Sequence, residues 1–290
     1  MSFNFKYIYF LTVILSVFQI YILNISGIVL SLYFILSYFL FFGLISDKIR
    51  KIDLYTFSYI YLLFSTILAV FWSPDVYASY RSFLFILSGF FIFLYTRKIV
   101  TKDSNFVAEV LKFLCISISF NSILIVVFFL NPNIEAIFLQ SNIAKIFINN
   151  GSLSQYQFDL GNNVTDPNKA GGFFLNGNSS AILSEIGFYL SLILGKLNKF
   201  KNYILFAILN FLGIVFTGSK SALFLSIFSY FISYIIFTLF FQKTTLFKKQ
   251  LYFLLSFLLI GLILIVFSFI SDTYIYSDGV VNAERRKVIF

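Results

Sequence analysis

Lys169 and Lys220 each stand among glycines and small polar residues directly before an apolar run. The two stretches are Lys169-Ala170-Gly171-Gly172-Phe173-Phe174-Leu175-Asn176-Gly177-Asn178 and Thr217-Gly218-Ser219-Lys220-Ser221-Ala222. Glycine allows backbone N–H groups to approach a ligand closely, and a helix N-terminus adds its own positive dipole. Lysine in the first turn of a helix opposes that dipole, and a bound anion removes the conflict. The pattern therefore points to an anionic headgroup such as a diphosphate. Gly172 and Asn176 are expected to support the first turn, Asn178 or Ser179 to cap the helix after it, and Ser219 to cap the helix after the second. Arg81 opens another apolar run in a similar way, and Arg285-Arg286-Lys287 form a third cationic cluster. For each cation the competing reading is an interfacial side chain that snorkels to water.

Positioning these groups is the work of a chain suited to lipid. Of the residues, 60% are hydrophobic and 11% charged, against roughly 25% charged in a soluble domain. The 43 Phe and 19 Tyr carry less information, because an AT-rich genome enriches them without functional cause. Cys115, the single cysteine, lies in an apolar run and reads as a small packed hydrophobe, which excludes a disulfide framework and a thiolate metal site. The sequence has no histidine, so zinc motifs and Ser-His-Asp chemistry within the chain are excluded as well. No metal or cofactor is expected.

A spanning helix needs about 20 mostly apolar residues. Nine runs meet that description: Phe5–Leu23, Ile25–Ile45, Leu54–Trp72, Ser82–Tyr95, Phe106–Leu130, Ser180–Leu194, Tyr203–Phe216, Ala222–Phe241 and Leu251–Ile270. The expected fold is all-α, a single polytopic membrane domain over 1–290 with about nine transmembrane helices and a long outer loop between spans five and six. The first run is too long for a signal peptide and lacks a small-residue cleavage site. Basic residues cluster in the breaks Asp47–Asp53, Arg97–Asp103, Lys196–Lys201 and Gln242–Lys249, which fall on one side if every run spans. By the positive-inside rule that side is the cytoplasm, and it holds 14 of the 21 Lys and Arg.

The outer side then holds Lys169, Lys220, Arg81 and Arg286, together with the Asn131–Asn178 loop and the 271–290 stretch. Loops of this length are usually functional or disordered. Within it, Ile134, Ile137, Phe138, Ile143 and Phe147 recur at helical spacing, so a short helix lying on the membrane surface is expected over Ile134–Ile148. Asn149–Asn168 reads as a flexible polar segment. Glu185 is the one acid well inside an apolar run, under two turns below the outer start of the sixth span. An ionisable residue there is either functional or half of a structural ion pair, here with Lys220 or Lys169. Asn121 and Asn210 read as interhelical hydrogen-bond glue.

In topology and motif order the chain resembles the bacterial O-antigen ligase and polymerase superfamily of membrane glycosyltransferases. Members carry an R-x-x-G-x-F-x-N-P-N stretch in an outer loop, a T-x-S-R-[SG]-A turn and an R-x-x-x-W element after a later span. Lys169 to Asn178 is similar to the first, Thr217 to Ala222 to the second, and Arg286-Lys287-Val288-Ile289-Phe290 to the third; Trp72-Ser73-Pro74-Asp75 also looks like the family. The sequence departs from the pattern at Lys169 and Lys220, where the family has arginine, and at Gly177, where it has proline. An ammonium neutralises phosphate without gripping it bidentately. Members also continue into a large outer loop, which in ligases bears a required histidine. The resemblance therefore marks the chain as an N-terminal fragment whose 271–290 stretch begins a second outer loop.

The resemblance implies a donor glycan linked to undecaprenyl diphosphate and an acceptor sugar hydroxyl that attacks its anomeric carbon. Lys169, Lys220, Arg286 and Arg81 would contact the diphosphate, and Glu185 would serve as general base. The implied location is the bacterial cytoplasmic membrane, and the implied partners are donor and acceptor glycans, membrane lipids, a flippase and a chain-length regulator, with no nucleic acid. Polymerase is the leading expectation, ligase the close alternative, and a lipid-linked oligosaccharide flippase the alternative of another class, which internal repeats and broken helices would mark.

Overall fold

The computed structural model describes residues 5–25, 28–45, 53–149, 153, 169–174, 176–197, 199–219, 223 and 226. The expected spans Ala222–Phe241 and Leu251–Ile270, the 271–290 stretch and nearly all of the polar segment Asn149–Asn168 lie outside them. The fold is largely helical, and α3 (Leu54–Trp72), α4 (Val76–Lys102) and α5 (Ser104–Leu130) are long and apolar enough to cross a membrane. At 1.5 Å per residue they extend about 29, 40 and 40 Å, against a hydrocarbon core of about 30 Å. Such helices are consistent with membrane association.

The two N-terminal apolar runs are not continuous helices, which corrects the all-α expectation. Helix α1 covers Phe5–Phe18, strands β1 (Tyr21–Ile25) and β2 (Ile28–Ser31) follow, and α2 covers Leu32–Ile45. Gln19 adopts a left-handed φ of 45° and its N–H bonds Leu15 O at 3.0 Å, a common way for a helix to stop. The strands pair antiparallel from Ile25 opposite Ile28 back to Tyr21 opposite Ser31, and the Leu32 N–H closes the hairpin base on Ile20 O at 2.7 Å. Ile20, Ile22, Ile25, Ile28 and Val29 are β-branched, which suits a strand as well as a lipid-facing helix.

The fourth run, Ser82–Tyr95, is only the middle of α4. Asp75 starts that helix by accepting from the Ala78 N–H at 2.9 Å, and it continues through Arg97 and Lys98 to Lys102. Asp103 starts α5 in the same manner, accepting from the Phe106 N–H at 3.1 Å. After α5 come the short helices α6 (Pro132–Gln140) and α7 (Ala144–Phe147), then α8 (Gly177–Lys196) and α9 (Tyr203–Phe216).

Packing alternates the helix directions, so the polar connections gather at two ends. At one end Lys6 pairs with Asp103 at 2.8 Å, Arg97 with Asp53 at 2.9 Å, and Lys199 donates to Asn105 at 2.8 Å. Lys98 donates to Gly43 O, the C-terminal turn of α2, at 2.5 Å. The Thr56 N–H and hydroxyl, then Arg97, hold Asp53 below the ordinary carboxylate range; Lys6 and the Phe106 N–H do the same for Asp103. Solvent screens exposed pairs of this kind and they add little to stability, so their value here is in showing which termini share an end.

Between the ends, Tyr9, Leu40, Tyr95, Ile99 and Val110 join α1, α2, α4 and α5 in one apolar cluster. Helices α5, α8 and α9 meet more closely. A Cβ on Gly187 would lie 2.6 Å from Ile118 and 2.8 Å from Asn210, and one on Gly213 2.6 Å from Ser122. Close approach of backbones through small residues drives association where lipid offers no hydrophobic incentive. The Asn210 amide donates to Ser119 Oγ at 2.8 Å and accepts from Ser122 Oγ at 2.9 Å, while Ser122 also meets Ser184 Oγ at 3.0 Å. These bonds tie α5, α8 and α9 together at one level.

Candidate functional site

The strap leading into α8 is built at the end opposite the basic cluster. Gly171 begins a tight turn, with the Phe174 N–H bonding Gly171 O at 2.9 Å, and Gly172 takes a φ of +60°. Only glycine adopts that conformation freely, and a Cβ on Gly172 would lie 2.5 Å from Asn121 Oδ1. Three helices hold the turn by side chains. Glu135 on α6 accepts from the Gly171 N–H at 3.0 Å, Asn121 on α5 accepts from the Phe173 N–H at 2.9 Å, and the Ser180 hydroxyl on α8 donates to Gly171 O. The Phe173 N–H demands an acceptor, which fixes the Asn121 amide and leaves its buried Nδ2 with no hydrogen-bond partner among the described residues. The Phe173 ring, 8% exposed, is surrounded by Phe18, Phe120, Phe138 and Phe147 at centroid distances of 4.7–6.5 Å.

Asn176 caps α8, two or three residues earlier than the expected Asn178 or Ser179. Its side chain accepts from the Asn178 N–H at 2.9 Å, and its carbonyl accepts from the Ser179 and Ser180 N–H groups. Asn178 and Ser179 themselves lie exposed in the first turn. Lys169 is half-buried at the start of the strap, beside the fully buried Ala170. Glu185 is half-buried on α8, more than two turns from the cap and next to the buried Ser184. Arg81 is exposed near the start of α4, within electrostatic reach of Tyr21 in the hairpin.

The second cationic turn approaches the first. Ala170 packs with Ile125 and Phe128 of α5 beside Phe216, and the Phe129 and Phe216 rings stand 4.9 Å apart. Past Phe216, Gly218 takes a φ of +69°, the Ser219 N–H bonds Thr217 Oγ1 at 3.3 Å, and Ser219 O accepts from the Leu223 N–H at 3.0 Å. That last bond has the i→i+4 spacing of a helical turn. The structure thus brings the approaches to Lys169 and Lys220 to one end of α5. Lys220 and Arg286 lie outside the described residues.

Sequence reasoning missed Glu135. It is 3% exposed, on a segment whose helical spacing reads as a membrane-surface helix with Ile134, Ile137 and Ile143 on its apolar face. In the structure those three are 41%, 68% and 59% exposed, and α6 turns Glu135 and Leu139 to the bundle. Burial pushes the Glu135 carboxyl above its ordinary range, partly offset by the Gly171 N–H. The only sequence signal was an acid in the first turn after Asn131-Pro132, a pattern that ordinarily faces water.

No protein-family model, curated protein or solved structure matches this chain.

Proposed function

We propose that this chain is a polytopic membrane glycosyltransferase of the O-antigen polymerase type, with about nine spans. It joins undecaprenyl-diphosphate-linked oligosaccharide repeat units into surface polysaccharide at the outer face of the bacterial cytoplasmic membrane. The observation that carries this reading is the convergence of the 169–176 strap and the 217–219 turn at the end of α5 remote from Lys6, Arg97 and Lys199. Basic residues mark a cytoplasmic face, so the opposite end is where an exported lipid-linked donor would be met.

In the proposed reaction an acceptor sugar hydroxyl attacks the anomeric carbon of the donor. A new glycosidic C–O bond forms as the bond to the diphosphate oxygen breaks, and the hydroxyl proton passes to Glu185. The leaving diphosphate carries the developing charge, which Lys169, Lys220, Arg286 and Arg81 stabilise; preorganised charge of this kind is commonly the largest catalytic term. Gly172, Asn176, Asn178 and Ser219 shape the two turns.

The test is the lipid-linked intermediate that accumulates when the gene is deleted. A polymerase deletion leaves single repeat units on undecaprenyl diphosphate at the outer face. Long lipid-linked polymer would make the protein a ligase, and single units retained at the inner face would make it a flippase.

A further inference from the structure

Glu135 is a buried carboxyl that the proposed reaction does not use. It sits on α6, whereas the strap belongs to chain 36 residues later, and its hydrogen-bond partner is the Gly171 N–H, two residues from Lys169. Burying a carboxylate without an opposing cation is costly, and a neutral amide would hold the same N–H more cheaply. The contact nonetheless acts at a decisive point. Gly171 is gripped on both sides of its peptide, its N–H by Glu135 and its carbonyl by Ser180, while Asn121 takes the Phe173 N–H. Lys169 and Ala170 lie just N-terminal to this grip, so the direction in which the strap enters it decides where the lysine stands relative to the start of α8.

We propose that Glu135 is a positioning residue for anion binding: by accepting from the Gly171 N–H, it holds Lys169 where the lysine meets a lipid-linked diphosphate at the start of α8. The inference rests on the diphosphate reading above. The role belongs to the acceptor oxygen and not to proton transfer, since the carboxyl is closed off by the strap that it secures. It assigns α6, an element with no motif, to the binding apparatus. It also accounts for why α6 turns an acid inward while three isoleucines of the 134–148 segment face out.

The experiment is equilibrium binding of undecaprenyl diphosphate to the 290-residue chain in nanodiscs, with undecaprenol as the uncharged control. The parent should bind the diphosphate more tightly than undecaprenol, and Lys169→Ala should remove most of that preference. Glu135→Ala should weaken diphosphate binding about tenfold, equal to about 1.4 kcal/mol, and leave undecaprenol unchanged. Glu135→Gln, which keeps an acceptor oxygen, should stay within twofold of the parent.

A parent with no preference for the diphosphate would sink the diphosphate reading itself. A normal parent with an unaffected Glu135→Ala would overturn the positioning role alone. Glu135→Gln as weak as Glu135→Ala would also overturn it, by showing that the charge and not the acceptor matters. Folding is followed at Cys115, which is fully buried and should resist maleimide. If Glu135→Ala exposes it, Ser180→Ala takes its place: that variant must lose affinity while Glu135→Gln keeps it, and an unaffected Ser180→Ala would refute the grip on Gly171.

Discussion

Replacing Gly172 with alanine probes the strap at its tightest point. The added Cβ would be held at a φ of +60° and would stand 2.5 Å from Asn121 Oδ1, the acceptor of the Phe173 N–H. The left-handed conformation costs an L-residue about 1–2 kcal/mol. Displacing the Asn121 amide removes one buried backbone hydrogen bond, about 1–3 kcal/mol more. The cost falls on the local opening of the turn, because the turn that carries Phe173 precedes α8 and is not part of the α5–α8 contact. A loss of about 2–5 kcal/mol raises the open population by roughly 30- to 4,000-fold, at tenfold per 1.4 kcal/mol. Amide hydrogen exchange over 170–174 should accelerate accordingly, while exchange in the middle of α5 stays unchanged. Exchange at the Phe173 N–H within twofold of the parent would refute the claim that Gly172 and Asn121 fix the turn.

Reporter fusions after Lys51, Lys102, Lys201 and Lys249 should read cytoplasmic and fusions within Asn149–Asn168 should read external; a cytoplasmic signal from the latter would reverse the orientation. Asn210→Ala removes the bonds to Ser119 and Ser122. At about 0.6 kcal/mol each on average in membrane helices, with a ceiling near 1.7, the variant should lose about 1–3 kcal/mol in steric-trapping measurements, and a value near zero would remove the polar tie. Glu135→Gln should raise thermal stability at neutral pH. The folded-state pKa of Glu135 lies above its ordinary value of 4.5, so its contribution is most favourable below that value and is lost as pH rises through the folded pKa. The gain from glutamine should therefore vanish in melts below pH 4.5, and a gain that persists there would contradict the assignment.

The sequence was most legible where apolar runs end on polar residues. Tyr203–Phe216 is helical over its expected limits, because Asn202 and Thr217 bound it cleanly. It was less legible where charge interrupts a helix without ending it, as at Arg81 and Arg97 in α4, since long side chains there reach the helix ends and leave the backbone intact. The hairpin was hidden for a different reason. A run that is apolar throughout has no periodicity to separate strand from helix, and the β-branched residues around Asn24 were the only hint. At the strap, the glycines and the type of cap were readable, but the cap moved to Asn176 because Ser180 is held by Gly171 O. The Glu135 contact spans 36 residues, and its one local mark, an acid in the first turn after Pro132, ordinarily faces water.

In the proposed function the two cationic turns receive one diphosphate headgroup at the same end of the bundle. Photolabelling can find that headgroup, using undecaprenyl diphosphate that bears a diazirine at its phosphate end, with the labelled peptides mapped by mass spectrometry. Labelling is expected within Lys169–Asn178 and Thr217–Ala222, suppressed by excess undecaprenyl diphosphate and not by undecaprenol. Labelling confined to the lipid-facing surfaces of α3 and α4, insensitive to the diphosphate competitor, would contradict it.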